Sequence, residues 1–186
     1  LTVNLEVPMV LTRLLLPGML KRGCGHVVNM SSLAGKSGPG YQEPYAATKA
    51  GLIAFTSSLR GTYHGSGFSA SVICPGFVEA GIYTRLKEKT GLAAPALLGT
   101  SRPEPVARAV VRCLRKDLPE AIINPLPVRP LFALTALAPS LGAWIMRKIG
   151  AHEFFRTVHV AQQKAAGQAT AAAPSQPVSP ASVAVS

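Results

Sequence analysis

His26-Val27-Val28-Asn29-Met30-Ser31-Ser32 is the stretch on which the fold turns. A short β-branched run following Gly23 and Gly25 predicts a buried strand over His26–Met30. Ser31 to Gly40 is rich in serine and glycine and reads as a loop. Upstream, Val3 to Leu20 repeats apolar residues at helical spacing, and Pro17-Gly18 is expected to disturb the last turn. Downstream, Pro44 stands where a first helical turn tolerates proline, and Tyr45 to about Tyr63 continues as a helix. Phe68 to Cys74 reads as the next strand, ended by Pro75-Gly76. Ser101-Arg102-Pro103-Glu104 has the capping-box pattern and opens a helix to Lys116, with Val106, Val110, Cys113 and Leu114 on its apolar face. Ala121 to Asn124 is a last short strand. Strands separated by helices predict an α/β fold around a parallel sheet.

Composition sets the class. In 186 residues, 48% hydrophobic and 15% charged is a globular profile long enough for one sizeable core. The net charge of +11 invites a nucleic-acid reading, but the basic residues are scattered, in pairs at most, and no aromatics interleave them. No nucleic-acid partner is expected. Cys24, Cys74 and Cys113 are odd in number and far apart, which predicts a reduced, cytoplasmic chain. His26, His64, His152 and His159 have no cysteine or carboxylate at metal spacing, so no metal site is expected.

Three groups carry chemistry. Tyr45 and Lys49 are four residues apart and share a helix face. An ammonium about 4 Å from a phenol contributes roughly 4 kcal/mol at an effective dielectric of about 20, enough to tune the phenol toward general acid/base work. Taken alone, such a pair is far more often a solvated helix face. Ser31-Ser32 falls at the carboxyl end of the first strand, and Pro75-Gly76 ends the next strand at the same rim, where open parallel sheets bind ligands. A hydroxyl, a phenol–ammonium pair and a tight turn at one edge are together a stronger sign than any one of them.

Asn29-Met30-Ser31-Ser32-Leu33-Ala34-Gly35, Tyr45-Ala46-Ala47-Thr48-Lys49-Ala50-Gly51 and Pro75-Gly76-Phe77-Val78, in this order and spacing, resemble the short-chain dehydrogenase/reductase family. The resemblance implies the C-terminal, catalytic part of a Rossmann-like doubly wound parallel sheet with extra C-terminal helices. It implies hydride transfer between NAD or NADP and a carbonyl or alcohol. Tyr45 is then the general acid/base, with Lys49 beside it binding the cofactor ribose. Ser32, thirteen residues before Tyr45, matches the catalytic serine. Asn4 matches the asparagine of the proton relay, and Pro75, Gly76 and Val78 contact the nicotinamide. Family members pair the Val3–Leu20 and Tyr45–Tyr63 helices across a two-fold, so a homo-dimer or tetramer is implied. The glycine-rich phosphate turn of the family is not found; Gly35, Gly38 and Gly40 follow the serine strand instead. A non-catalytic piece unable to bind cofactor is therefore the alternative reading.

The remainder divides into three parts: 1–125 is the catalytic α/β part, 126–164 a helical extension and 165–186 a tail. Ile82, Tyr83, Leu86, Leu92, Leu97 and Leu98 make 81–100 apolar, as either a lid over a lipophilic substrate or the packing of a connecting helix. Leu131 to Met146 is uncharged and too short to span a bilayer. With Arg129, Arg147 and Lys148 at its ends, it reads either as peripheral membrane contact through 131–148 or as two short helices closing a pocket or a subunit contact. Ala165–Ser186 has no charged residue and the composition of a disordered tail.

Overall fold

The computed structural model describes residues 1–95 and 98–172, with side chains to Lys164. Its centre is β2 (Phe68–Pro75), which pairs in parallel with β1 (Gly25–Met30) on one side and β5 (Glu120–Ile123) on the other. Alternation along β2 explains the layers. Phe68 and Ala70 point to one face and pack with Leu59 and Phe55 of α3 (Glu43–Thr62), Tyr63 at its C-cap, and Leu16, Met19 and Leu20 of α1 (Val7–Arg22). Ile73 points to the other face and packs with Ala109 and Cys113 of α5 (Pro103–Lys116). Helices on both faces of a parallel sheet make this the doubly wound α/β arrangement expected. The outer edge of β1 has no strand partner among the described residues.

A π-helical turn, Thr2–Glu6, leads directly into α1, and the helix runs unbroken through Pro17 to Arg22. The expected disturbance at Pro17-Gly18 does not occur, because Leu16, Met19 and Leu20 are held against the core on either side of the proline. Thr2–Arg22 is also the one described helix long and apolar enough to cross a membrane, with a mean hydropathy of 1.3. The expected capping box at Ser101 does not form either. Ser101 pairs with Val78 in a small second sheet, β3 (Phe77–Val78) with β4 (Thr100–Ser101), and Arg102 takes the N-cap position with no side-chain bond. Within α5, Leu114 is exposed and Ala109 takes its expected place in the core.

The Ser31–Gly40 loop contains a short helix, α2 (Ala34–Ser37). Residues 81–90 form α4 (Gly81–Thr90); Leu97 lies outside the described residues. Beyond β5 come α6 (Arg129–Leu137), α7 (Pro139–Lys148) and α8 (Ala151–Ala172). The apolar run is thus two helices broken at Ala138, before Pro139. Helix α8 extends into the stretch read as tail, and residues 173–186 lie outside the described residues.

Candidate active site

Strand ends build the site. Ser31 N–H donates to the Ile73 carbonyl and Leu33 N–H to Pro75, so the chain leaving β1 stays tied to the end of β2. The two serines are then used differently. Ser31 is buried and donates to the Lys49 carbonyl at 2.8 Å, fixing α3 against the strand end. Ser32 is half-buried, accepts from Ala34 N–H at 3.2 Å and reaches Pro75 O only at 3.5 Å. That long contact leaves its hydroxyl proton free to turn to another acceptor.

Helix α3 carries Tyr45 and Lys49. Its buried stripe is Lys49, Leu52, Thr56 and Leu59, which places an ammonium on an apolar face. Burial is compensated by a 2.9 Å hydrogen bond from Nζ to the Met30 carbonyl. Desolvation nonetheless holds the Lys49 pKa below its ordinary value. The ammonium stands 5.7 Å from the centre of the half-buried Tyr45 ring. One pair further along, Asn29 donates to Thr56 Oγ1 at 2.9 Å and locks β1 to α3.

The glycines near the site serve contact rather than phosphate binding. A Cβ on Gly35 would come 2.6 Å from the Lys49 backbone, and one on Gly76 2.5 Å from Asn124 Oδ1. Only bare backbone fits at either place. Asn4 lies on the Thr2–Glu6 turn and lines, with Lys49, Asn29, Met30 and Pro8, a cleft of about 420 Å³ along the outer side of β1. Pro75, Gly76, Phe77 and Val78 are half-buried at the ends of β2 and β3. The structure thus gathers Ser32, Tyr45, Lys49 and the Pro75–Val78 turn at the carboxyl rim of the sheet, with Asn4 across the cleft from Lys49. Cys74 is fully buried, and its thiol is pushed up to about 12 by desolvation, then by the nearby Glu120 charge. It is no nucleophile.

Several neighbours escape sequence reasoning. Phe154 and Phe155 of α8 pack on Phe77 at 5.5 and 6.0 Å, and Tyr83 joins at 5.3 Å. Tyr83 is buried and its hydroxyl accepts from Ala94 N–H, so α4 holds the following loop. Tyr41, with φ +63°, has its ring tilted against those of His152 and His159 at 5.3 and 5.4 Å. Phe77 and Tyr83 fall in stretches the sequence singles out, but nothing local says that Phe154-Phe155 face them. No group of metal-ligating side chains occurs among the described residues.

Residues 1–91 match the family of short chain dehydrogenases. Similarity to members of that family extends over about 80% of the chain. The ketoacyl reductase HetN of a Nostoc species is 40% identical over 156 residues, covering 81% of this chain and 53% of the relative. Among solved structures, a serine dehydrogenase complexed with NADP+ is 30% identical over 66% of this chain and 52% of its own, with a TM-score of 0.56. A short-chain dehydrogenase of Sphingobium yanoikuyae, 20% identical, shares the fold at a TM-score of 0.60 over 77% of this chain and 54% of its own. The chain spans about half the length of the curated relatives it matches.

Proposed function

We propose that these residues are the catalytic end of an NAD(P)-dependent oxidoreductase acting on a carbonyl or alcohol, with Tyr45 as the general acid/base. The observation that carries the reading is the juxtaposition at one strand rim of a free-turning Ser32 hydroxyl, the Tyr45 phenol and the Lys49 ammonium. The donor set fits a nicotinamide riboside: a buried cation, two hydroxyls and the backbone of Pro75, Gly76 and Val78. When bound, the dinucleotide supplies or accepts the hydride.

The chain's own residues handle the proton and the charge. Tyr45 gives its phenolic proton to the substrate oxygen as the carbonyl is reduced, and takes it back in the reverse direction. Ser32 turns from Pro75 O to donate to the same oxygen, stabilising charge as it develops. Lys49, pinned by Met30 O, places its positive charge beside the ring and within reach of a ribose hydroxyl. Asn4, across the cleft, orders the water that returns a proton to Lys49.

The aromatic wall of Phe77, Tyr83, Phe154 and Phe155 supports a lipophilic substrate, in keeping with the ketoacyl reductase among the relatives. Exposed Val7, Val10 and Leu14 form an i, i+3, i+7 stripe on α1, and support a homo-oligomer joined through α1 and α3. Three free cysteines support a cytoplasmic compartment. Gly35 and Gly40 are taken up by packing, which supports reading the described residues as the proton-handling end without a phosphate turn. This favours a second reading for residues 1–186 taken alone, a non-catalytic piece. The test is NADPH-dependent reduction of aliphatic ketones and 3-oxoacyl thioesters by the full-length protein and its Ser32→Ala variant. Loss of one oxyanion donor should lower turnover by about 10²–10³. Turnover unchanged in the variant would refute the assignment.

A further inference from the structure

The α6–α7 hairpin presents a face that the catalytic reading does not use. Gly142 lies so close to Thr135 that a Cβ would come 2.6 Å from its Cγ2, so the two helices meet backbone to side chain at this point. One residue before and two after each contact residue stand Leu134 and Leu137 on α6, and Leu141 and Trp144 on α7. All four are exposed, Leu137 at 85% and Trp144 at 51%. Equal offsets from a shared contact put both pairs on the same side of the hairpin. Lys148 continues the α7 stripe one turn on, with its ammonium 5.9 Å from the Trp144 ring, and Arg147 is beside it. No Asp or Glu occurs from Ala121 to His152. Helix α6 also touches α2, the short helix that follows Ser32.

We infer that this apolar stripe with its basic end is a docking surface for an anionic lipid bilayer. Leucines insert to the level of the acyl boundary, and a tryptophan sits at the headgroup level where its amphipathic ring is favoured. Arg147 and Lys148 meet the anionic headgroups, and neither α6 nor α7 carries an acidic residue to oppose them. A water-facing surface has no comparable use for four exposed large apolar side chains in one patch. The contact through α2 places the bilayer near the mouth of the site, from which an acyl or other lipophilic substrate can enter.

Trp144 is the chain's single tryptophan, so its emission reports on the patch directly. The full chain is mixed with vesicles of phosphatidylcholine alone or with added phosphatidylserine, and both Trp144 emission and co-sedimentation are read. The expected result is a blue shift and pelleting with phosphatidylserine vesicles only. Arg147→Glu with Lys148→Glu weakens pelleting by about tenfold or more. Leu137→Ser with Leu141→Ser abolishes it, with unaltered circular dichroism showing that the fold is kept. The inference is overturned if Trp144 emission stays unshifted on phosphatidylserine vesicles, or if both vesicle types bind equally. It is also overturned if the shift appears without vesicles as protein concentration rises, which makes the patch a contact between copies.

Discussion

Replacing Thr56 by Val tests how the site is held. Thr56 is 1% exposed and Asn29 5%; the Asn29 amide donates to Thr56 Oγ1 at 2.9 Å, and that hydroxyl donates in turn to Leu52 O at 2.7 Å. Valine keeps the shape of threonine and removes only the oxygen. Leu52 O lies within helix α3 and loses a secondary donor; the Asn29 N–H loses its acceptor in a place water does not reach. An orphaned buried donor costs about 1–3 kcal/mol. In a chain of this size that lowers the melting temperature by about 2–12 °C. The double variant Asn29→Leu, Thr56→Val removes both partners and should cost less than the sum of the two single variants, since no polar group remains unpaired. Thermal melts of the four proteins measure the coupling. A Thr56→Val melt indistinguishable from wild type, or strict additivity in the cycle, would refute the view that this pair locks β1, and with it the Met30 carbonyl, to the catalytic helix.

Other outcomes follow from single observations. Burial holds the His26 pKa below 6.5 although Asp117 pulls it up, so the stability from its neutral form is complete above pH 6.5 and lost as pH falls through the lower folded value; melts from pH 7 to 5 should decline, and His26→Gln should flatten that decline. Iodoacetamide should modify exposed Cys24 in the native protein and reach Cys74 and Cys113 only on unfolding, as mass spectrometry of the labelled peptides would show. Leu14→Glu on the exposed α1 stripe should shift light scattering of the full-length protein from oligomer to monomer. Calorimetric titration of NADPH into residues 1–186 alone should show no binding; micromolar affinity would mean that a phosphate site lies within them.

Legibility differed by element. Strand β1, helix α3 and strand β2 could be read because period, β-branching and the Pro44 and Pro75-Gly76 stops all agree there. The positions of Ser32, Tyr45 and Pro75 could be read for the same reason, since all three lie at element ends that periodicity sets. Pro17 misled because local propensity argues for a break while Leu16, Met19 and Leu20 hold the helix by packing. Ser101 misled because its β4 pairing with Val78 depends on a residue twenty-three positions away. The wall of Phe77, Tyr83, Phe154 and Phe155 was hidden by distance along the chain: three elements supply it, and none shows its partners locally.

The central claim is that the Tyr45 phenol moves the proton. Among the described residues its hydroxyl makes no hydrogen bond, so Tyr45→Phe removes one oxygen without leaving a buried group unpaired. The decisive measurement is turnover of Tyr45→Phe in the full-length protein, beside its thermal melt, on a carbonyl substrate that the wild-type protein reduces. Turnover should fall by about 10²–10⁴ with the melt unmoved. Wild-type turnover in that variant would contradict the claim.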